Sequence, residues 1–157
     1  MDYTAKVAKN NNRLAVKVFN KFQYTKIEYL ALKKLDSRYF PKVHFFGIVK
    51  YGPNRLSTFF GMEMLKGSDM FQVMEHYDSS LSGEYLRYVA AQLLVAVSFL
   101  HKKGYIHCVV KPENVICCEN GKIKLIDFGG FLPTANDEII FQECFGTKKY
   151  IADELHS

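Results

Sequence analysis

The spacing of hydrophobic residues divides the chain into a strand-rich first half and a second half that contains a long helix. Residues 3–9 and 13–19 alternate apolar and polar side chains, and three successive asparagines separate them, as in a β-hairpin. Residues 42–51 and 56–65 alternate in the same way around a Gly-Pro-Asn turn sequence. These patterns predict four strands that pair as neighbours.

Two segments show the 3.6-residue spacing of amphipathic helices. The first covers residues 25–35. The second follows Ser82, whose hydroxyl suits an N-cap, carries Glu84 in its first turn and ends at a glycine. Val95 and Phe99 fall outside its apolar stripe, so we expect this helix to be buried on more than one side. The stripe comprises Leu86, Val89, Ala90, Leu93, Leu94, Val97 and Leu100.

Composition and charge are typical of an ordinary globular domain. The chain has 157 residues, 48% of them hydrophobic, and 21 basic against 16 acidic side chains give a net charge of +5. The basic residues are scattered, which favours a solvated surface over a nucleic-acid interface. The longest apolar segment, residues 88–100, is too short to span a bilayer. We therefore expect a soluble protein of the cytoplasm or nucleus that binds neither nucleic acid nor a membrane.

Two short motifs carry the chemical signal. Residues 107–114 read His-Cys-Val-Val-Lys-Pro-Glu-Asn, and residues 127–129, which read Asp-Phe-Gly, begin 13 positions after Asn114. Either motif alone is typical of a turn or a strand end. Together, with a small hairpin predicted around residues 119–121, they resemble the catalytic loop and D-F-G motif of eukaryotic-type protein kinases. The Lys-Pro-Glu-Asn sequence favours the Ser/Thr branch of that family.

Further landmarks follow in the order that this resemblance implies. Residues 14–17, Leu-Ala-Val-Lys, resemble the V-A-I-K strand, and residues 62–65 resemble the hinge that receives adenine. Residues 146–154 resemble the end of an activation segment. The resemblance covers essentially the whole chain and implies an α+β kinase-like fold. It predicts a small β-rich lobe at about residues 1–65 and an incomplete helical lobe at about residues 66–157, with the nucleotide cleft at residues 62–69.

The resemblance also implies ATP or ADP with Mg²⁺ as the ligand and assigns residues to it. Lys17 is expected to hold the α- and β-phosphates, and Lys111 to lie near the γ-phosphate. Asn114 and Asp127 are expected to hold Mg²⁺ through oxygen atoms. The predicted adenine contacts are Ala15, Ile116, Glu63 and Leu65.

Two acidic residues allow more than one interpretation. Glu28 is the only acidic residue between Lys17 and Asp36, which makes it the candidate partner of Lys17. It equally completes a Thr-x-x-Glu capping box that begins at Thr25. Asp69 is a candidate for binding the ribose hydroxyls, and as readily a cap for a short helix that includes Gln72.

Val109 occupies the position of the catalytic aspartate. A valine can neither accept the proton of a substrate hydroxyl nor orient that hydroxyl, and such a base contributes on the order of 10²–10⁴-fold in rate. Cys108 replaces the family's arginine, Asp153 replaces a proline, and the chain begins too close to Lys17 to contain a glycine-rich loop. We therefore predict a pseudokinase, a regulatory or scaffold protein that retains a partial nucleotide site. The alternatives are a divergent Ser/Thr kinase that transfers the ATP γ-phosphate, and a truncated gene product.

The end of the chain at Ser157 adds an expectation about association. The helices that complete the large lobe of a kinase lie beyond this point, so we expect the long helix to expose apolar side chains such as Leu93 and Val97. Exposed apolar faces bind partners or aggregate. We therefore predict self-association, a protein partner such as a true kinase, or low stability.

Overall fold

The computed structural model describes residues 2–5, 13–19, 22–51, 55–128, 132–135, 138–139 and 150. The predicted turns at residues 10–12 and 52–54 lie outside these residues. So does the activation-segment motif at residues 146–154, apart from Tyr150. The chain divides into two compact units, Met1–Leu65 and Lys66–Ser157.

The first unit is an antiparallel sheet with one helix. Its strands are β1 (Asp2–Ala5), β2 (Leu14–Phe19), β3 (Val43–Tyr51) and β4 (Arg55–Glu63). They lie in the order β1-β2-β4-β3, and each neighbouring pair is antiparallel. The four strands predicted from alternation are therefore confirmed over their described residues, and residues 6–9 of the first lie outside these.

Helix α1 (Phe22–Leu35) begins three residues earlier than the apolar spacing predicts. Thr25 consequently lies inside the helix, and the interpretation of Thr25 and Glu28 as a capping box is wrong. The helix packs on the sheet through Tyr29, whose ring centre lies 5.5 Å from that of Phe46 and 6.2 Å from that of Phe60. The side chains that are at most 2% exposed in this core include Leu35, Phe40 and Phe60.

The second unit contains two helices and two small sheets. Its helices are α2 (Met70–Tyr77) and α3 (Gly83–Lys102). One sheet has the order β5-β7-β8, formed by β5 (Gly67–Asp69), β7 (Val115–Cys118) and β8 (Ile123–Leu125). The other has the order β10-β9-β6, formed by β6 (Tyr105–Ile106), β9 (Leu132–Ala135) and β10 (Glu138–Ile139).

Helix α3 begins as predicted, because the Ser82 hydroxyl accepts a hydrogen bond from the Tyr85 backbone N–H at 3.1 Å. Its burial differs from the prediction. Val89, Ala96 and Leu100 are buried on the side that contacts β6 and β8. Val95 is 50% exposed, so the expected burial on more than one side is wrong at this position.

The predicted hairpin around residues 119–121 is confirmed by β7 and β8. Gly121 has a φ of 76°, and its N–H donates to the Cys118 carbonyl at 2.9 Å. The side chain of Gln92 on α3 donates to the Gly121 carbonyl at 3.1 Å and thereby ties the turn to the helix.

Part of the chain after Asp127 forms strands, which the sequence patterns do not indicate. Strand β9 pairs antiparallel with both β6 and β10. The β6–β9 ladder joins segments that are distant in sequence, so the local pattern of side chains does not indicate it. Within the described residues, the helices lack the length and hydropathy needed to cross a membrane.

Candidate functional site

Strands β2 and β4 set the positions of the predicted nucleotide residues in the first unit. Ala15 pairs with Met62 and Lys17 pairs with Phe60. Residues two apart on a strand point to the same face, so Ala15 and Lys17 share one face of the sheet. The alignment of the strands therefore brings Ala15 next to Met62, where the hinge motif begins.

Lys17 and Glu28 form an ion pair. The Lys17 Nζ donates to the Glu28 Oε1 at 2.9 Å, and the two side chains are 11% and 3% exposed. The structure thus decides between the two interpretations of Glu28, which pairs with Lys17 instead of capping a helix. Because both groups are withdrawn from water, removal of either one breaks a buried ion pair, which typically costs about 3–5 kcal/mol.

The hinge residues lie at the end of β4. The Glu63 N–H donates to the Lys42 carbonyl at 2.9 Å, and the Glu63 Oε1 accepts from the Lys42 N–H at 2.8 Å. These two bonds fasten the end of β4 to the residue before β3. Leu65 follows two residues later and is half-buried. Whether Glu63 and Leu65 contact adenine stays a prediction.

In the second unit, the loop at residues 107–114 is built around a buried histidine. His107 is 1% exposed, and its Nε2 lies 3.0 Å from the Ile126 carbonyl. A carbonyl oxygen only accepts, so Nε2 carries the proton, which leaves Nδ1 to accept from the Val109 N–H at 3.4 Å. The ring also packs on Phe128, with ring centres 4.9 Å apart. His107 is therefore a structural support that joins the loop to the Asp-Phe-Gly segment.

Asn114 is buried and its amide orientation is determined by its partner. Its Nδ2 donates to the Val109 carbonyl at 2.8 Å, which leaves Oδ1 as the side chain's acceptor atom. The Asn114 carbonyl also accepts from the Ile126 N–H at 2.8 Å. Since Ile126 directly precedes Asp127, the fold brings the two predicted metal ligands onto adjoining segments.

Asp127 has a left-handed backbone conformation. Its φ is 64°, a value that costs most L-residues roughly 1–2 kcal/mol and that aspartate adopts more readily than most. The neighbouring Phe128 is only 2% exposed and anchors this conformation. Cys108 has a similar φ of 62°. Such strain is concentrated at functional sites in folded proteins.

The remaining predicted residues of the second unit are Lys111, Ile116 and Asp69. Lys111 Nζ and Glu113 Oε1 are 4.0 Å apart with side chains 22% and 40% exposed, so this pair contributes little to stability. Ile116 pairs with Asp69 across β7 and β5. The Asp69 Oδ1 accepts from the Gln72 N–H at 2.9 Å and caps α2. The capping interpretation is therefore confirmed, and the ribose contact stays a prediction.

Residues 3–156 match the protein kinase domain family. The chain belongs to this family. The kinase domain is 32% identical to CBL-interacting serine/threonine-protein kinase 19 of Arabidopsis thaliana over 160 residues, which cover 98% of this chain and 32% of the plant protein. It is 33% identical to serine/threonine-protein kinase PKH2 of Saccharomyces cerevisiae over 162 residues, which cover 91% of this chain and 14% of the yeast protein.

A third relative matches a shorter part of the kinase domain. Citron rho-interacting kinase of Rattus norvegicus is 32% identical over 94 residues, which cover 60% of this chain and 5% of the rat protein. The kinase domain thus spans about a third or less of the length of these relatives. The α+β kinase fold expected from the sequence is confirmed, with the small antiparallel sheet in the first unit.

The donor atoms of this kinase domain fit a magnesium ion. Mg²⁺ prefers oxygen ligands and is commonly held by one or two protein groups together with phosphates and water. Asn114 Oδ1 and the Asp127 carboxylate provide two such groups. Groups of three or more His, Cys, Asp or Glu side chains suited to a metal are absent from the described residues. Magnesium shared with a nucleotide does not require such a group.

The kinase domain also has a cavity that motif reasoning missed. It has a volume of about 580 Å³ and lies among β5, α2, the start of α3 and the β7–β8 turn. Burial raises the pKa of Tyr85, one of its lining residues, to about 12, with a smaller contribution from a hydrogen bond to Cys117. Burial also raises the pKa of the Cys117 thiol. Both groups are therefore neutral at physiological pH. No sequence motif indicates this cavity, because its lining residues come from separate elements.

Proposed function

We propose that this kinase domain binds ATP or ADP with Mg²⁺ and acts as a regulatory or scaffold protein instead of an efficient kinase. The observation that carries the proposal is the buried Lys17–Glu28 ion pair, with 2.9 Å between Nζ and Oε1, in a chain whose catalytic position holds Val109. The groups suited to binding the nucleotide are present, and the base is absent.

On the phosphate side, the ion pair supports the proposal because it restrains the Lys17 ammonium. A lysine that is 11% exposed and bonded to a carboxylate has few alternative conformations. A cation that is held in place before the ligand arrives loses less conformational entropy on binding. The negative charge of a phosphate group is spread over its oxygens, so a cation positioned beside them favours binding.

On the metal side, the support comes from Asn114 and Asp127. Asn114 is 5% exposed and is held by Val109, and Asp127 is held in a left-handed conformation beside the anchored Phe128. When bound, Mg²⁺ would neutralise phosphate charge and so strengthen nucleotide binding. Both residues keep an oxygen ligand of the type that Mg²⁺ prefers.

The absence of the base limits phosphate transfer. In that reaction the Ser or Thr hydroxyl oxygen forms a bond to the γ-phosphorus while the bond to ADP breaks, and the hydroxyl proton must move to an acceptor. The hydrocarbon side chain of Val109 accepts no proton. A rate loss on the order of 10²–10⁴-fold corresponds to about 3–5 kcal/mol of barrier.

The first test is thermal unfolding of the chain with and without Mg-ADP. Binding to the folded state alone adds about 2.7 kcal/mol at a ligand concentration 100 times the Kd, so we expect a higher Tm. Asp127→Asn should abolish the shift, because it removes the carboxylate charge with little change of shape. A cooperative melt that does not respond to Mg-ADP would refute nucleotide binding.

Asp78→Asn is the matched control. Asp78 is exposed, lies in the same unit and also has a positive φ, 42°. The same substitution there should leave the Mg-ADP shift unchanged. Equal loss of the shift in both variants would mean that the effect is one of general stability and not of metal binding.

A divergent Ser/Thr kinase is the second candidate, and the catalytic-loop backbone favours it. The Val109 N–H donates to His107 and its carbonyl accepts from Asn114, so the backbone is held on both sides. Positioning and metal electrostatics dominate this reaction, and some rate survives without a base. Phosphate transfer to a generic peptide that disappears with Asp127→Asn, at a rate typical of kinases, would favour this candidate over a pseudokinase.

A further inference from the structure

The cavity of about 580 Å³ in the second unit is separate from the proposed nucleotide and metal ligands, and we call it the α2 cavity. None of those ligands is among the residues that line it. All of its lining residues belong to the unit Lys66–Ser157. Its volume falls within the roughly 300–1,000 Å³ of pockets that bind ligands.

The α2 cavity has an apolar centre and a polar rim. Its half-buried lining residues are Val73, Leu81 and Tyr85, which offer hydrocarbon and aromatic surface. The Tyr85 hydroxyl is hydrogen-bonded to Cys117 and stays neutral. An apolar centre within a polar rim is typical of surfaces that bind other proteins. The exposed lining residues are mostly polar and include Ser68, Gln72 and Glu119.

Hydrogen bonds hold the walls of the α2 cavity in place. The starts of α2 and α3 are both capped by side chains. In the β7–β8 turn, the Glu119 N–H donates to the Lys66 carbonyl at 3.0 Å. The Gln92 side chain donates to the Gly121 carbonyl at 3.1 Å and accepts from the Ile123 N–H at 3.3 Å. Walls that are already fixed lose less conformational entropy when a ligand binds.

The segments around the α2 cavity are acidic, although the whole chain has a net charge of +5. Residues 67–85 supply all of the lining except Glu119, and apart from His76 they contain no basic side chain. Glu119 adds a carboxylate on the rim itself. Such a local excess of negative charge attracts cationic partners and repels anionic ones. The acidic residues within 67–85 are Asp69, Glu75, Asp78 and Glu84. The neighbouring basic residues Lys66, Arg87 and Lys122 lie outside the lining.

We propose that the α2 cavity binds a basic peptide segment of a protein partner, with an apolar side chain in its centre and an arginine or lysine at Glu119. A guanidinium or ammonium group forms charge-assisted hydrogen bonds with a carboxylate. A free small cation would leave the apolar centre uncovered, whereas a peptide covers the centre and the rim together. This binding goes beyond the proposed nucleotide binding and does not depend on it.

The test is an NMR titration of the isotope-labelled full chain with the peptide acetyl-Leu-Arg-Leu-Arg-Leu-amide. We expect saturable shift changes in residues 67–85 and in the β7–β8 turn, and weaker binding at high salt because exposed charges are screened. The same peptide with glutamate at both arginine positions should not produce these changes. The proposal is overturned if both peptides bind equally, if the changes lie only elsewhere, or if millimolar peptide changes nothing.

Charge variants of the chain test the role of Glu119. Glu119→Gln should weaken peptide binding by about fivefold, the upper range for an exposed ion pair. Glu75→Gln is the matched control, because Glu75 is exposed on α2 and does not line the cavity. It removes the same charge and should weaken binding by less than about twofold. Equal losses in the two variants would contradict a direct contact with Glu119.

A shape variant tests the cavity independently of charge. Gln72 is an exposed lining residue whose backbone N–H, not its side chain, forms the cap of α2. Gln72→Trp should therefore fill part of the α2 cavity and abolish peptide binding without removing the cap. Circular dichroism verifies the helix content of each variant. Peptide binding that survives in a folded Gln72→Trp variant would overturn the proposal.

Discussion

At Val109 the backbone and the side chain have separate roles. The backbone receives one hydrogen bond from Asn114 and donates one to His107, and both belong to the architecture of the loop. The side chain is half-buried hydrocarbon that adds nothing to proton transfer. Because the loop is held through main-chain atoms, a different side chain at this position leaves the supports of the loop in place.

Val109→Asp should therefore restore part of the missing chemistry. We expect phosphate transfer to a generic Ser/Thr peptide to rise by about 10²-fold or more, the contribution of a positioned base. The measurement is transfer of labelled γ-phosphate from ATP at saturating Mg²⁺.

Val109→Asn is the control for that variant, since its side chain has the same size but does not accept the proton. It should remain at the rate of the wild-type chain. Equal rates for the Asp and Asn variants would contradict the view that the base is the missing component.

At the scale of elements, the start of α2 contains a side chain, Asp69, for which the sequence allows two roles. Asp69 is the last residue of β5 and caps α2 through Gln72, and it pairs with Ile116 on β7. The cap satisfies an N–H group at the start of the helix that has no partner within it. This requirement is structural, so the presence of Asp69 alone does not establish a nucleotide contact.

Substitution of Asp69 separates the two roles. Asp69→Ala should lower the free energy of unfolding by about 1 kcal/mol, whereas Asp69→Asn should keep the cap and most of that stability. Urea denaturation measures both changes. If Asp69 also binds ribose, the Asn variant should bind Mg-ADP more weakly at unchanged stability. Mg-ADP affinity equal to that of the wild-type chain would contradict the ribose contact.

At the scale of the whole molecule, each unit has its own core. Leu35, Phe40 and Phe60 are fully buried in the first unit, and Leu100 and Leu125 are fully buried in the second. Burial of such side chains contributes about 1.5–3 kcal/mol each, so stability depends on a few residues in each unit.

Phe60→Ala should be among the most damaging single changes in the first unit. Phe60 is 0% exposed and packs under Tyr29, so its removal leaves a cavity that costs about 3–5 kcal/mol. Leu56→Ala on the same strand, at 61% exposure, should change stability by at most about 0.5 kcal/mol. Chemical denaturation of both variants measures this, and similar losses would contradict the burial argument.

Much of the fold was accessible from local patterns. Alternation predicts β2, β3 and β4, the Ser82 cap predicts the start of α3, and the asparagine and glycine near residue 120 predict the β7–β8 turn. Each of these signals acts over a few residues. The start of α1 and the strands after Asp127 were not predicted, because α1 is stabilised by packing on Phe46 and Phe60 and β9 by pairing with β6.

The candidate site shows the same division between local and long-range information. By itself the sequence determined the identities and order of Lys17, Asn114 and Asp127, and the replacement of the base by Val109, because motifs are linear. Only the tertiary structure decided that Glu28 pairs with Lys17, and that Leu94 and Val95 are among the exposed apolar residues of α3. Both outcomes depend on which surfaces meet after folding. The spacing of apolar residues limits which faces of a helix can be buried. It does not decide which of those faces the core covers.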